Sequence, residues 1–506
     1  MRGIAVVVCS IAGIAGMARA AEASTYRVGI GEQFRELTAL PPLQPGDVVE
    51  VVGGFTYQPV TFTADGTAAQ PIVIRGLRNA FGKRPVISSG DNAMELAGDH
   101  YIVEGMELTQ AAVRCLFVHA HGLVLRDLLI HDCPGHGIEG GGSGGGDLTL
   151  EYSEIHHSGR GQTQHQIYVS TDEVMHPGAR FRMRFDYVHD GNGGNNVKSR
   201  AERNEIYFNW IEGALYHELE LIGPDPGDAG VPENQAIENS DVVGNVLAKG
   251  GGHSNFWIAR IGGDGTGQTF GRYRFVHNTI LLASDSAGAF RLFDGIDTFE
   301  AHNNVIFRTS TAATTPIIVR ENEAMWRPSR GLVGSHNWVV DAIVNGVPAA
   351  TDWTGTIRGA DPGWNGFGDY RPLEGSPLVD AADPAPTGVP NRAFPMPLVE
   401  PSFEPPVGAA GGGTIIAPGT ERPRPRVGTL DIGAFELGMG PPVDPDAGVG
   451  PGDGDGGVDP TGDGGTDPTG SGGGGCCSTG RAGDGVAPLA MMLMLGLGRA
   501  RGRRRS

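Results

Sequence analysis

The sequence predicts an all-β protein built as a single-stranded right-handed parallel β-helix, and three observations lead there. Short strands of alternating apolar and polar residues recur through most of the chain. Many of them end on Asn or His before a turn, and no helical period is sustained among them. The chain also carries 83 Gly and 35 Pro with only 7% aromatics, which disfavours long helices and favours many strands joined by tight turns. A propeller or a sandwich would deliver its strands as evenly spaced hairpins instead.

Residues 1–20 read as a secretory signal peptide: Arg2, an apolar stretch from Ile4 to Met17, and Ala18-Arg19-Ala20 as a small-x-small cleavage site. The stretch is short for a membrane span. Residues 21–437 are the predicted β-helix with its capping segments, opening over 27–75. The repeats follow as 123–131 (LVLRDLLIH), 148–156 (LTLEYSEIH), 185–189 (FDYVH), 205–209 (EIYFN), 241–245 (DVVGN), 275–278 (FVHN), 300–304 (EAHNN) and 334–337 (GSHN). Their spacing varies between about 20 and 36 residues, as expected when coils share one core path but differ in loop length. At roughly 25 residues per coil this predicts about 12 coils, a stack about 60 Å tall. Asn at one recurrent turn position is expected to stack on its neighbours and to hydrogen-bond exposed backbone groups.

Residues 438–475 are a linker of Gly, Pro, Asp and Thr that cannot bury enough apolar area to fold. Residues 476–506 hold Cys476 and Cys477, a short apolar run from Val486 to Leu497, and Arg499, Arg501, Arg503, Arg504 and Arg505. This order of parts resembles the myxobacterial C-terminal sorting signal. The resemblance implies export and display at the outer cell surface, with membrane contact only through the tail. A simple tail anchor would also leave the β-helix outside a membrane. Of five cysteines only Cys115 and Cys133 fall in the body, so packing must hold the fold. Those two form either one bridge between neighbouring coils or two separately buried thiols. The formal charge of −20 argues against nucleic acid as a partner, and a monomer is expected.

Residues 46–53 (GDVVEVVG) and 66–75 (GTAAQPIVIR) resemble the opening of β-helix polysaccharide lyases of the chondroitinase B and alginate lyase type. Residues 360–363 (ADPG), 369–373 (DYRPL), 375–380 (GSPLVD) and 431–436 (DIGAFE) resemble the closing segment of many secreted bacterial β-helix proteins. The resemblance implies a pectate-lyase-like solenoid that engages polysaccharide. It specifies fold better than chemistry, because one fold hosts many activities.

Four segments share one apolar register: 136–139 (HGIE), 165–168 (HQIY), 195–198 (NNVK) and 217–220 (HELE). If Ile138, Ile167, Val197 and Leu219 point inward, then Glu139, Tyr168, Lys198 and Glu220 form an outward column. A neighbouring column would hold Gln166, Asn196 and Glu218. Glu218 and Glu220, two apart, would then offer two carboxylates to a hard cation such as Ca2+. Lyases of acidic polysaccharides neutralise the uronate carboxylate and remove the proton beside it.

Lys198, within 196–204 (NVKSRAERN), resembles the lysine motif of that lyase group. The resemblance makes Lys198 the base supported by Arg200, and Glu218 with Glu220 the calcium ligands. Tyr168, Asn196 and Arg203 become substrate contacts. The group carries a second basic residue in an arginine–histidine segment on the following coil. That place reads YHELELIGP (216–224), without arginine, and leaves His217 as the candidate acid. A solvated lysine paired with Glu neighbours is the plain alternative, as is a non-catalytic, glycan-binding surface or adhesion protein. His131, His156, His157, His165, His189, His217 and His253 follow the repeat and read as polar residues stacked coil on coil, with a transition-metal site as the other reading.

Overall fold

The computed structural model describes residues 23–224, 237–249, 256–263, 269–308, 315–322, 330–366, 368–408, 416–426 and 428–437. The expected signal peptide, linker and sorting segment, and His253, lie outside these residues. Within them the chain winds as a right-handed parallel β-helix. Its three parallel sheets have 13, 12 and 10 strands and are numbered sheets 1, 2 and 3 in the order each coil visits them. One coil, for example, runs Tyr101–Glu104, Glu107–Thr109, Arg114–Val118. Thirteen strands at a step of about 4.8 Å make a stack about 58 Å tall. Strands continue past Asn337 to Ile357–Gly359, one coil beyond the repeats legible in the sequence.

The register explains the alternation. In sheet 1, Val49, Ile74, Val103, Leu125, Leu150, Met183, Ile206, Val242 and Phe275 sit directly over one another and are fully buried. Each such side chain contributes about 1.5–3 kcal/mol by leaving water, so the core is a continuous apolar ladder rather than a globule. The opening is closed by Val28, Leu37 and Leu43 packed over the first coil.

From the coil of Gly105 onward, the corner between sheets 1 and 2 has a fixed two-residue form. The first residue takes a positive φ, as at Asp127, Tyr152, Phe185, Phe208, Gly244, His277, Asn303 and His336. The second caps its neighbour: the backbone N–H of Asn209, Asn245, Asn278 and Asn304 each donates to the side-chain oxygen of the next corner Asn, at 2.8–3.0 Å, ending on Asn337. The Asn Nδ2 groups return a bond to strand carbonyls, such as Asn245 to Ile206 at 2.9 Å. This is the expected Asn ladder, fully buried. At the first corner position Tyr152, Phe185 and Phe208 stack at 5.0 and 5.6 Å despite a backbone conformation that costs roughly 1–2 kcal/mol per residue.

Cys115 and Cys133 form a disulfide between neighbouring coils, which resolves the two readings in favour of the bridge. The C-terminal residues do more than close the end. After Ile357–Gly359 the chain packs back along the coils: Phe403 covers Phe185 and Phe208, while Tyr370 and Phe435 cover Trp210. The buried Arg424–Glu436 pair at 2.7 Å pins this return.

Candidate functional site on the face of sheet 3

The strands His136–Gly140, Ile167–Ser170, Val197–Arg200, Leu219–Ile222 and Trp257–Gly262 are successive neighbours in sheet 3. Ile138, Ile167, Val197, Leu219 and Ala259 pair in register and face inward. The outward column therefore reads Glu139, Tyr168, Lys198, Glu220, Arg260, as the alternation of the first four segments predicts. Arg291 follows on the next strand.

The column is a chain of charges and rings. Lys198 Nζ lies 3.4 Å from Glu220 Oε2 and 5.3 Å from the centre of the Tyr168 ring. Arg260 holds the other Glu220 oxygen at 2.9 Å. Arg260 and Arg291 both lie over the Phe293 ring, at 4.8 and 5.1 Å. Arg200 donates from Nε to the Tyr168 hydroxyl at 3.1 Å and reaches the Gly223 carbonyl. Lys198, Arg200, Arg260 and Arg291 thus lie among two rings, Tyr168 and Phe293, and the Glu220 carboxylate. Lys198 and Arg260 each keep 14% of their side-chain surface open.

Beneath this face the residues that start each segment form a second ladder. His136 Nδ1 accepts the backbone N–H of His165 at 3.0 Å, and His165 Nδ1 that of Asn195 at 2.9 Å. Asn195 Oδ1 then accepts from His217 at 3.0 Å, and His217 Nδ1 from Trp257 at 3.2 Å. A ring nitrogen that accepts a backbone N–H carries no proton, so these imidazoles are neutral with the proton on Nε2. Burial, reinforced by neighbouring cations, holds the His165 and His217 pKa values well below the ordinary histidine range.

Several sequence expectations change. His217 is fully buried and serves the ladder, so it is not placed as an acid facing substrate. Asn196 and Glu218 are also fully buried. The strands begin at Val197 and Leu219, so alternation does not yet govern the residue before them, and these side chains turn into the corner. There Asn196 donates to Glu218 at 2.6 Å and Lys249 pairs with Glu218 at 3.2 Å. Burial pushes the Glu218 carboxyl up to about 7 against the pull of Lys249.

Glu218 and Glu220 therefore do not share a face. Each faces cations that would repel Ca2+, and the residues present do not fit a calcium site. Arg203 begins the strand Arg203–Tyr207 of sheet 1 and pairs with Glu205, away from Lys198. Arg260 is the residue the sequence reading missed. It puts a basic side chain in the outward column two coils after Lys198, one coil beyond the place the resemblance implies, and the alternation of WIARIG (257–262) was the signal for it.

No protein-family profile and no curated protein sequence matches this chain. Solved structures similar to it include the pectate lyase Pel9A, with a TM-score of 0.46 and 11% identity over 82% of this chain and 96% of that one. An alginate lyase from Paenibacillus sp. str. FPU-7 has a TM-score of 0.35 and 15% identity, over 66% of this chain and 95% of that one. XylC in complex with xylose has a TM-score of 0.40 and 9% identity, over 68% and 87%.

Proposed function

We propose that the sheet 3 face binds an acidic polysaccharide and that Lys198 removes the proton beside a uronate carboxylate, cleaving the chain by β-elimination. The observation that carries this reading is the in-register run Tyr168, Lys198, Glu220, Arg260 with Arg200 at its side. Arg200 and Arg260 supply the positive charge that an enolate-like transition state requires, a role for which fixed guanidinium groups suffice without calcium. Tyr168, whose hydroxyl accepts from Arg200, is the proton donor in this column for the departing sugar oxygen. The aromatic ring and the long strip of strands suit an extended sugar chain. The reading also places the protein outside the cell, exported through residues 1–20 and held at the surface by residues 476–506.

The test is ultraviolet absorbance of the new double bond during incubation with alginate, pectate and glycosaminoglycans, with and without a calcium-selective chelator. A rise that the chelator leaves unchanged, and that Lys198→Ala abolishes with folding intact, supports elimination through Lys198. Unchanged turnover in Lys198→Ala refutes the assignment. The ion pair of Lys198 with Glu220 favours one second reading, a glycan-binding surface protein without turnover. Binding of an acidic glycan with no absorbance change on any polymer would select it.

A further inference from the structure

We propose that Glu154, His156 and His189 form a binding site for one divalent transition-metal ion of the zinc, cobalt or nickel kind. The three residues lie on the outward face of sheet 2, apart from the Lys198 column on sheet 3. Glu154 and His156 stand two apart on the strand Glu154–His156 and so share a face. His156 pairs in register with His189 at the end of the strand Tyr187–His189. Their ligand atoms all lie within 4.8 Å of one another.

The hydrogen bonds around the cluster prepare it for a metal. His189 Nδ1 lies 2.8 Å from Asp190 Oδ2, and its Nε2 faces Glu154 Oε1 at 3.1 Å. A histidine that donates one N–H to a carboxylate presents the other nitrogen as an oriented, strengthened ligand. With that proton given to Asp190, the Nε2 lone pair and the Glu154 carboxylate face each other, and something positive must sit between them. A shared proton fills that place when no ion is bound, bridging His189 Nε2 and Glu154 Oε1. A metal ion displaces that proton and satisfies both ligands.

His156 completes the set. Its Nδ1 lies 2.6 Å from Nδ1 of His157, so one proton is shared there, and when His156 donates it the Nε2 lone pair becomes a ligand. A tetrahedral ion with bonds of about 2.0–2.1 Å brings its ligands to about 3.4 Å apart. Glu154 and His189 already meet that spacing, leaving His156 to close by side-chain rotation.

The surroundings restrain the ring planes. His131 stacks on His156 and His156 on His189, each at 5.0 Å, and Tyr187 stacks on His189 at 4.0 Å. Two imidazoles and one carboxylate select a borderline metal over Ca2+, which takes six to eight oxygens.

The experiment titrates the full chain, without an affinity tag, with Co2+ and Zn2+, following cobalt absorption and calorimetric stoichiometry. One equivalent is expected at the cluster, with affinity reduced at least tenfold in His156→Gln and in Glu154→Gln. His121→Gln, in the separate His121–His176 stack, should leave it unchanged. Undiminished binding in the double variant His156→Gln/His189→Gln, or no binding by the wild type, overturns the proposal. Because His189 variants can fail to fold, zinc X-ray absorption of the wild type provides a second readout. Two imidazoles and an oxygen are expected, while a spectrum dominated by sulfur would assign the ion to cysteine instead.

Discussion

Glu220 is the residue on which the sheet 3 column turns, because it holds Lys198, Arg260 and the Asn195 amide at once. Replacing it by Gln keeps an acceptor but removes a negative charge from beside Lys198 and Arg260. Glu220→Gln should bind an acidic oligosaccharide severalfold more tightly at low salt, an advantage that fades as ionic strength rises. It should also lose about 1–3 kcal/mol of stability, because charged bonds become neutral ones. Calorimetric titration at two salt concentrations checks the first point and urea denaturation the second.

A pH prediction belongs to His165. Its folded pKa lies well below the unfolded value near 6.5, so the unfolded chain binds the extra proton as pH falls. Its contribution is therefore complete above pH 6.5 and declines below it, by up to about 1.4 kcal/mol per pH unit. His165→Asn copies the residue that already fills this ladder position as Asn195. Urea midpoints should show the variant gaining on the wild type between pH 7.5 and pH 5.

Legibility at this scale followed the pleat. Glu139, Tyr168, Lys198 and Glu220 could be aligned because each follows an inward aliphatic residue. Asn196 and Glu218 misled because they precede the strand start, and Arg203 because a bend after Arg200 carries it to another sheet.

At the level of the element, the Asn corner ladder is the best test of what holds coils together. Asn245 accepts from Asn209 and donates to the Ile206 carbonyl and to Asn278. Asn245→Ala leaves a buried N–H and a buried carbonyl without partners, at a cost of about 1–3 kcal/mol each. Asn337 ends the run: it accepts from Asn304 and donates to the Ala301 carbonyl at 2.7 Å, but gives no bond to a further Asn as Asn245 does to Asn278. Equilibrium denaturation should rank Asn245→Ala as more damaging than Asn337→Ala. The ladder was legible because Asn recurs at one place in the repeat. The return of the C-terminal residues was not, since they have no period and their partners are remote. His277, for example, meets the carbonyl of Asp431, 154 residues away.

For the whole β-helix, the return has a stability consequence. The described residues between 361 and 437 cover Phe185 and Phe208 at the corner and Trp210 on sheet 2, large apolar side chains that otherwise face water. A chain ended at residue 359 should associate, while one ended at residue 437 should melt like the full chain. Size-exclusion chromatography and thermal melting would separate the two. Repulsion among like charges is also managed along the stack. Arg75, Glu104, Arg126, Glu151 and Arg184 alternate in sign down sheet 1, with neighbouring charges paired at 2.6–3.8 Å. The alternation was present in the sequence but could be read only once the register was known.

The two-residue corner bears on how such a gene can change length. Every joint from Asn209 to Asn304 presents the same donor and acceptor to the coil above and the coil below. Unequal crossover between two joints would splice in or delete a full coil whose ends find the partners they had before. A copied segment 246–278, inserted after Asn278, would therefore be expected to lengthen the stack by one step of about 4.8 Å. Length is thus a trait that recombination can tune while the chemistry on the faces is left where it was.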